Sequence, residues 1–505
     1  MNRAVVSVSL REQLSIWPFL IAFAVVGVMI PRQAKADPWL SPGNVQLRQD
    51  VELLQDTGVI NVPITTWPIP WGSLSAALAA VETDKLSPTQ QVAYERLLED
   101  IRGVQAGGNQ TGYKLEAAPG RPAMSWFGDA TRGKEQAAAS WSGYNGNLAF
   151  RFNAAAVYGS RDHQRVRFDG SYLGVELGNW ILSAGQIDQY WGPAWSGSLI
   201  LGNNSRPVPG ISLSRNVAEP FDTPILHWLG PWTLSVFAGR LEDERYIRHP
   251  YLLGMRVAFV PLSGVEFGLS RTALFGGKTR PQSWSCLWKT FIGHTNVQAG
   301  TPVDCAAQMV AISNRFHIPH TQFDFYSQWS ASDTSSKQPT KWADLVGLSR
   351  WGSIGEDGAS YRTFIEYANT TVDSFKSSIP NYQYENYLYQ SGFRYRGYTF
   401  GYPTDNDSEL WTLGLTLQGT DNGQLTFILR HGTLNRDNTN AHEPWGGNKL
   451  APVRTAFDEA DVYFNPSFWG RHLTIALGVT HWGPAGLPAE TGLHAQVGWQ
   501  QGFSE

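Results

Sequence analysis

The chain has 505 residues, 42% of them hydrophobic and 16% charged, with a net charge of −4, so it lacks the basic excess of a nucleic-acid-binding protein. Its mean hydropathy of −0.27 excludes a bundle of membrane helices, but not a β-barrel, in which only alternate strand residues have to be apolar. Arginine outnumbers lysine 29 to 10, and 21 Trp and 19 Tyr provide material for aromatic girdles or for stacking against sugars.

Residues 1–36 read as a secretory signal. Arg3 and Arg11 precede an apolar run from Ile16 to Ile30, then Pro31 and the small-x-small triplet Ala34-Lys35-Ala36, which predicts cleavage between Ala36 and Asp37. The run is shorter than the roughly 20 residues a spanning helix needs. Removing the segment takes away four cations and one anion, a net +3, and leaves the mature chain at −7. In an oxidising compartment Cys286 and Cys305 are expected to form a disulfide across one loop, the alternative being two free thiols.

Residues 37–110 read as a helical module. Leu47, Val51 and Leu54 fall at helical spacing, with Gly58 where a helix-ending glycine belongs. A second helix is expected from Ser73 to Val81. A third starts at the N-cap Ser87, with Pro88 at the first helical position and Gln90 placed to complete a capping box. Between the first two, Pro63 to Trp71 is too rich in proline for a helix or a central strand. Three helices this short bury little core alone, so they are expected to dock on the sheet, at the periplasmic mouth of a barrel.

Residues 111–505 alternate apolar and polar residues at period two, as in Trp411, Leu413, Leu415 and Leu417 against Thr412, Gly414, Thr416 and Gln418. Met124 to Asp129 is the first candidate strand, and about 16 to 18 such segments follow the helical module. Together with export and the lack of an apolar helix, this predicts an antiparallel outer-membrane β-barrel whose apolar parity faces lipid, the rival being a soluble sheet with that parity packed inward. Polar interruptions at 272–306, 331–341, 371–391 and 432–455 are candidate extracellular loops. The last segment ends on the aromatic Phe503, two residues before the C-terminus. On the polar parity, Arg151, Arg167, Arg256, Arg362, Arg394, Arg396 and Arg430 are expected to line the lumen and pair with carboxylates such as Asp169, Glu266, Asp324 and Glu366.

Catalytic signals are poor: there is no H-E-x-x-H, G-x-S-x-G or Walker motif, and no metal site or cofactor is expected. His317 and His320 flank Pro319 and read as a turn. Glu242, Asp243 and Glu244, between Arg240 and Arg245, read as a solvated charged turn.

Two stretches carry a resemblance. LRQDVELLQDTGVINVPITTWPIPW (Leu47 to Trp71) and GQIDQYWGPAWSGSLILGNNSRPVPGISLSR (Gly185 to Arg215) are similar to the Wzi family of capsule-assembly outer-membrane proteins, in the same order along the chain. The resemblance implies an all-β transmembrane barrel of about 18 strands. It also implies a periplasmic helical module and a lectin-like role without catalysis, holding capsular or extracellular polysaccharide on a Gram-negative surface. Outer-membrane lipid and polysaccharide export machinery are the other expected partners.

Sugars need flat aromatic faces, amides and, for acidic units, a guanidinium. Asp188, Tyr190, Trp191, Trp195, Asn203, Asn204 and Arg206 supply that mixture, although a rigid turn folded into the lumen, with Asp188 and Arg206 satisfying buried neighbours, is the favoured reading of the same residues. Thr66 to Trp71 reads in the same way, as a wedge rather than a ligand platform. Among loop aromatics, Trp284, Trp288, Tyr382, Tyr384, Tyr387, Tyr389 and Trp445 are the better ligand candidates by position. Tyr382, Tyr384, Tyr387 and Tyr389 fit an outer aromatic girdle equally well. The alternative function is a porin for saccharides or other solutes; an outer-membrane hydrolase ranks last.

Overall fold

The structure, a computed structural model, describes residues 37–120, 122–128, 132–291, 305–332, 341–372, 379–466 and 473–502. The signal segment with its cleavage residue Ala36, and the terminal Phe503, lie outside the described residues. Among those described, eighteen antiparallel strands close a barrel, each paired with its neighbours in sequence. They are β1 Gly108–Gly120, β2 Glu135–Asn145, β3 Leu148–Tyr158, β4 Tyr172–Leu177, β5 Trp180–Gly185, β6 Gly210–Arg215, β7 Trp232–Arg240, β8 Tyr251–Leu262 and β9 Val265–Phe275. The circuit continues with β10 Ala306–His317, β11 Phe323–Ser332, β12 Ala343–Ile354, β13 Ala359–Asn369, β14 Glu409–Gln418, β15 Gln424–Leu434, β16 Thr455–Asn465, β17 Leu473–Pro484 and β18 Glu490–Gln501. Strand β18 pairs back to β1, with Trp499 opposite Leu115 and Gln501 opposite Tyr113.

The period-two pattern decides which way the wall faces. Phe152, Leu173, Ile211, Leu269, Ile312, Leu413, Leu477 and Val497 point outward and are 43–60% exposed, whereas Arg256, Arg362, Glu366 and Arg430 point inward and are at most 3% exposed. An apolar outside around a charged inside is the pattern of a barrel in lipid, and it disposes of the soluble sheet. Connections at one end are mostly tight, 216–231 being the long one; at residues 178–179 and 263–264, Gly178 (φ 59°) and Gly264 (φ 76°) adopt the left-handed backbone that a two-residue hairpin requires. Connections at the other end are mostly long: 276–305, 333–342, 370–408 and 435–454 fall where the polar interruptions at 272–306, 331–341, 371–391 and 432–455 place them, with boundaries a few residues different and the third running on to 408.

The helices occupy the turn end. Helix α1 (Val45–Asp56) is capped by the Asn44 side chain and has all twelve residues buried, its charged ones included. Helix α2 runs over Trp71–Ala79, two residues earlier than the spacing suggests, and α3 over Pro88–Gln105 with the full Ser87/Gln90 capping box. Gly58 is in the left-handed conformation just past α1.

A helix so polar is buried because the wall supplies partners. Arg362 of β13 meets Asp56 at 2.9 Å, Glu52 at 3.2 Å and Asp324 at 3.2 Å. Asp50 accepts from Arg96 of α3 at 3.0 Å and from Gln418 at 2.8 Å. Helices α2 and α3 reach the turns through Ser73 with the Asn216 carbonyl, Thr89 with Ser353, and Arg96 with the Gly419 carbonyl.

Residues 122–128 are not the strand expected at Met124 to Asp129. Trp126 and Phe127 are 2% and 0% exposed and anchor an irregular segment inside the lumen, where the Phe127 amide donates to the Trp195 carbonyl. Alternating apolar residues here fill an interior rather than coat a wall.

Candidate functional site

The two stretches separated by more than a hundred residues in sequence form one assembly inside the barrel. Thr66–Trp67 pair as a short antiparallel ladder with Tyr190–Trp191, and the Gly192 amide donates to the Thr65 carbonyl. Proline at positions 63, 68 and 70 leaves this strip few amides to offer a sheet, so wall side chains hold it instead. Glu266 accepts from the Ile64 and Thr65 amides at 2.9 and 3.1 Å, while Arg256 donates to the Thr66 and Thr65 hydroxyls at 2.8 and 2.7 Å. Arg48 of α1 donates to the Pro193 and Ala194 carbonyls and lies over the Trp195 ring at 4.0 Å.

Tyr190, Trp191 and Trp195 are at most 1% exposed and offer no face to a sugar ring. The Tyr190 hydroxyl donates to the Ala194 carbonyl, and the Trp191 indole to Gln189. Asn203 donates to the Trp126 and Phe127 carbonyls, Asn204 to that of Thr399. Arg206 forms a two-pronged pair with Asp169 at 2.8 and 2.7 Å and a second with Asp162 at 2.7 Å; Asp188 meets Arg132 at 3.1 Å. The second motif is therefore chiefly scaffold. Asp188 and Asn203 border a polar cavity of about 240 Å³ that Arg132, Arg151 and Arg167 also line.

Asp162 belongs to the loop between β3 and β4. Burial alone would raise its pKa, but hydrogen bonds from Arg206 and Ser160 and the charge of Arg167 hold it down at about 2. A carboxylate depressed in the folded state contributes stability above its unfolded value near 4, and that contribution is lost as pH falls through about 2. Pepsin cleavage within residues 159–171 should accelerate between pH 4 and pH 2, and Asp162→Asn should flatten that rise. Identical profiles would show that the carboxylate does not fasten the loop.

The opposite mouth is filled by residues 379–408. Tyr384 and Tyr389, placed by sequence among exposed or girdle aromatics, are 0% exposed. The Tyr384 hydroxyl donates to the Leu199 carbonyl and accepts from the Tyr402 amide, so this ring ties the two luminal segments together and is withdrawn from solvent. Arg394 and Arg396 are not on the wall; Arg394 is buried in this same loop and paired with Asp405 and Glu385 at 2.6 Å each. Arg245 is likewise no part of a solvated turn: it is buried and donates to the Arg394 and Gly392 carbonyls. Arg394 thus has the carboxylate partners expected of it but on a loop that turns inward rather than on a strand, and Arg245 has protein partners where sequence suggests water.

Among the described residues, the exposed aromatics at this mouth include Tyr387 (62%), Tyr246 (44%) and Trp445 (41%), with Tyr246 and Trp445 edge to face at 6.5 Å. Sequence reading passed over Tyr246 because its charged neighbours dominate the run; the signal was an aromatic inside that run. Trp284 (85%) and Trp288 (62%) are exposed but belong to helix α4 (Trp284–Phe291), apart from the buried Tyr190, Trp191 and Trp195 of the second motif. Cys286 and Cys305 are joined by a disulfide.

Two buried acid–histidine groups, Asp56/His317/Asp324 and Glu459/Asp461/His494, have the ligand types for a metal. In each a guanidinium already stands among the carboxylates: Arg315 and Arg362 in the first, Arg430 in the second. They act as ion-pair networks that fix the lumen's contents.

Comparison with known proteins agrees with this architecture. The solved structure of Wzi, an outer-membrane protein involved in group 1 capsule assembly in Escherichia coli and described as a carbohydrate-binding β-barrel, superposes with a TM-score of 0.79 at 22% identity, covering 92% of this chain and all of that one. An uncharacterized 55.8 kDa protein in the cps region of Klebsiella pneumoniae is 29% identical over 332 residues, 65% of this chain, and the match spans 64% of that protein's length. Residues 106–483 match the model of the capsule assembly protein Wzi, and with more than half of its length so matched, the chain belongs to the Wzi capsule assembly family.

Proposed function

We propose that the protein is an outer-membrane lectin without catalytic activity, which retains capsular or extracellular polysaccharide at the cell surface. Its long-loop mouth faces outward, and its helical module lies on the periplasmic side. The observation that carries this reading is the family match over residues 106–483. Short turns at the helix-bearing end support the orientation, since barrels of this kind keep their periplasmic turns short. Tyr246, Tyr387 and Trp445 are the aromatic faces offered at the outward mouth. Each contact is weak, but a polymer that touches many copies is held by avidity.

Deleting the gene should move polysaccharide from the cell-bound fraction into the medium while total synthesis continues; unchanged partitioning refutes the proposal. Tyr387→Ala with Trp445→Ala should lower retention about tenfold at unchanged barrel levels, on the scale of losing about 1.4 kcal/mol of binding. A porin needs an open lumen, whereas α1, the two motif segments and residues 379–408 fill this one. Planar-bilayer recordings should accordingly be silent, and discrete conductance steps would favour the porin.

A further inference from the structure

The outward face of the wall carries, among its apolar residues, one bonded polar pair at the long-loop end. Arg271 of β9 sits between Leu269 and Ala273 on the outward parity, and Gln308 of β10 between Ala306 and Val310. Arg271 donates to the Phe291 carbonyl at 2.8 Å, and also to the Thr290 carbonyl and the Gln308 side chain. A cation is thus held against the Thr290 and Phe291 carbonyls in the last described turn of α4. The Cys286–Cys305 bond fastens the same helix beside β10. Helix α4 consequently lies along the outside of the barrel, at its long-loop end.

Cys286 and Thr290 of α4 are buried, and Leu287 packs against the cluster that Cys286 forms with Phe275, Cys305 and Ala306. Trp284, Trp288 and Phe291 remain 85%, 62% and 56% exposed, with the last two rings stacked at 5.9 Å. Between helix and wall runs an apolar groove of about 440 Å³, floored by Leu182, Ile211, Leu213, Val236, Leu253 and Met255 of β5–β8.

We propose that this groove binds an acyl chain of a bilayer lipid from the leaflet on the long-loop side. The inference rests on the membrane placement proposed above. The groove floor is continuous with the outward apolar belt, so its occupant comes from the same hydrocarbon. The charge of Arg271 is taken up by α4 and Gln308. A short amphipathic helix with bare indoles at the edge of an apolar belt is built to lie in a membrane interface.

The test uses full-length protein reconstituted in phosphatidylethanolamine/phosphatidylglycerol vesicles with a trace of phospholipid bearing a diazirine midway along one acyl chain. After irradiation, peptides spanning 251–259 and 284–291 should be labelled about fivefold above the 409–418 peptide, a ratio worth about 1 kcal/mol of preference. Ala238→Trp and, separately, Leu213→Trp fill the groove and should abolish the excess, with heat-modifiable migration on gels confirming folded barrels. Even labelling of all wall peptides, an excess that survives both substitutions, or crosslinked pairs of protein in place of lipid adducts would overturn the proposal. No labelling of any wall peptide would refute the membrane placement itself, which separates that failure from failure of the groove.

Discussion

Arg362→Ala should release α1 from the wall while the barrel stays closed. The Arg362 guanidinium is 1% exposed and is shared by Glu52, Asp56 and Asp324 at 2.9–3.2 Å. Without it, the three buried carboxylates keep Arg315, which reaches Asp56 and Asp324, Arg48, which reaches Glu52, and the His317 ring and Ser349 hydroxyl, which reach Asp324 alone. Removing one partner of a buried ion network costs about 3–5 kcal/mol, because the charges left behind have lost both water and counterion. Hydrogen–deuterium exchange at the α1 amides should accelerate by about two to three orders of magnitude, at 1.4 kcal/mol per tenfold. The β13 ladder needs no Arg362 side chain, so strand amides should exchange as before. Arg350→Ala, which removes an exposed partner of Gln322, should change α1 exchange by less than about twofold, a surface substitution costing within about 0.5 kcal/mol. Equal exchange in the Arg362 variant and the parent would show that the helix is held by packing alone.

The wall was legible in the sequence because a barrel strand is a local object: period two records which neighbours meet hydrocarbon, and Trp411, Leu413 and Leu415 carry that information whatever lies across the lumen. Helix α3 was legible for the same reason, its capping box being spelled out within Ser87, Pro88 and Gln90. The contents of the lumen were not. Nothing local in Thr66–Trp67 points to Tyr190–Trp191 as its partner, and nothing in a charged α1 says that every residue will be buried. Those outcomes depend on inward arginines and carboxylates supplied by strands hundreds of residues away. The same cause misplaced Tyr384 and Arg245: a polar stretch between strands reads as an exposed loop unless the partners that draw it inward are known, and Arg394, expected on the wall facing the lumen, reaches the lumen from that inward loop instead. The chemistry of the second motif was read correctly as aromatic, amide and guanidinium, but sequence left open whether those groups face a ligand or each other. The coordinates answer for most of them, with Arg206, Asn203 and Tyr190 bonded to the protein.

Glu366→Ala tests whether that buried motif works as scaffold for the mouth above it. Glu366 of β13 is 1% exposed and accepts from the Trp195 amide at 2.7 Å, the Ser196 amide at 2.8 Å and the Tyr326 hydroxyl at 2.6 Å. Each buried donor left without an acceptor costs about 1–3 kcal/mol, so the substitution, which orphans two amides of residues 193–199, should destabilise that segment by at least about 2 kcal/mol. Loosening should spread in both directions from there. Arg48 ties the Pro193 and Ala194 carbonyls to α1, and Tyr402 ties Ser196 to the loop that fills the mouth. Exchange should therefore rise at 186–209 and at 379–408, and polysaccharide retention should fall with it, because Tyr387 rides on that loop and the Tyr246 and Trp445 loops are bonded to it through Ser391 and Glu385. Glu366→Gln keeps one acceptor and should lie between the variant and the parent. The paired Tyr387→Ala and Trp445→Ala substitutions should lose retention with exchange unchanged, since their rings are exposed. If Glu366→Ala disorders both segments while retention stays at the parental level, the sugar is held elsewhere on the barrel and the mouth is only a lid. If retention falls with no change in exchange, then the luminal segment touches the polymer directly, despite its burial.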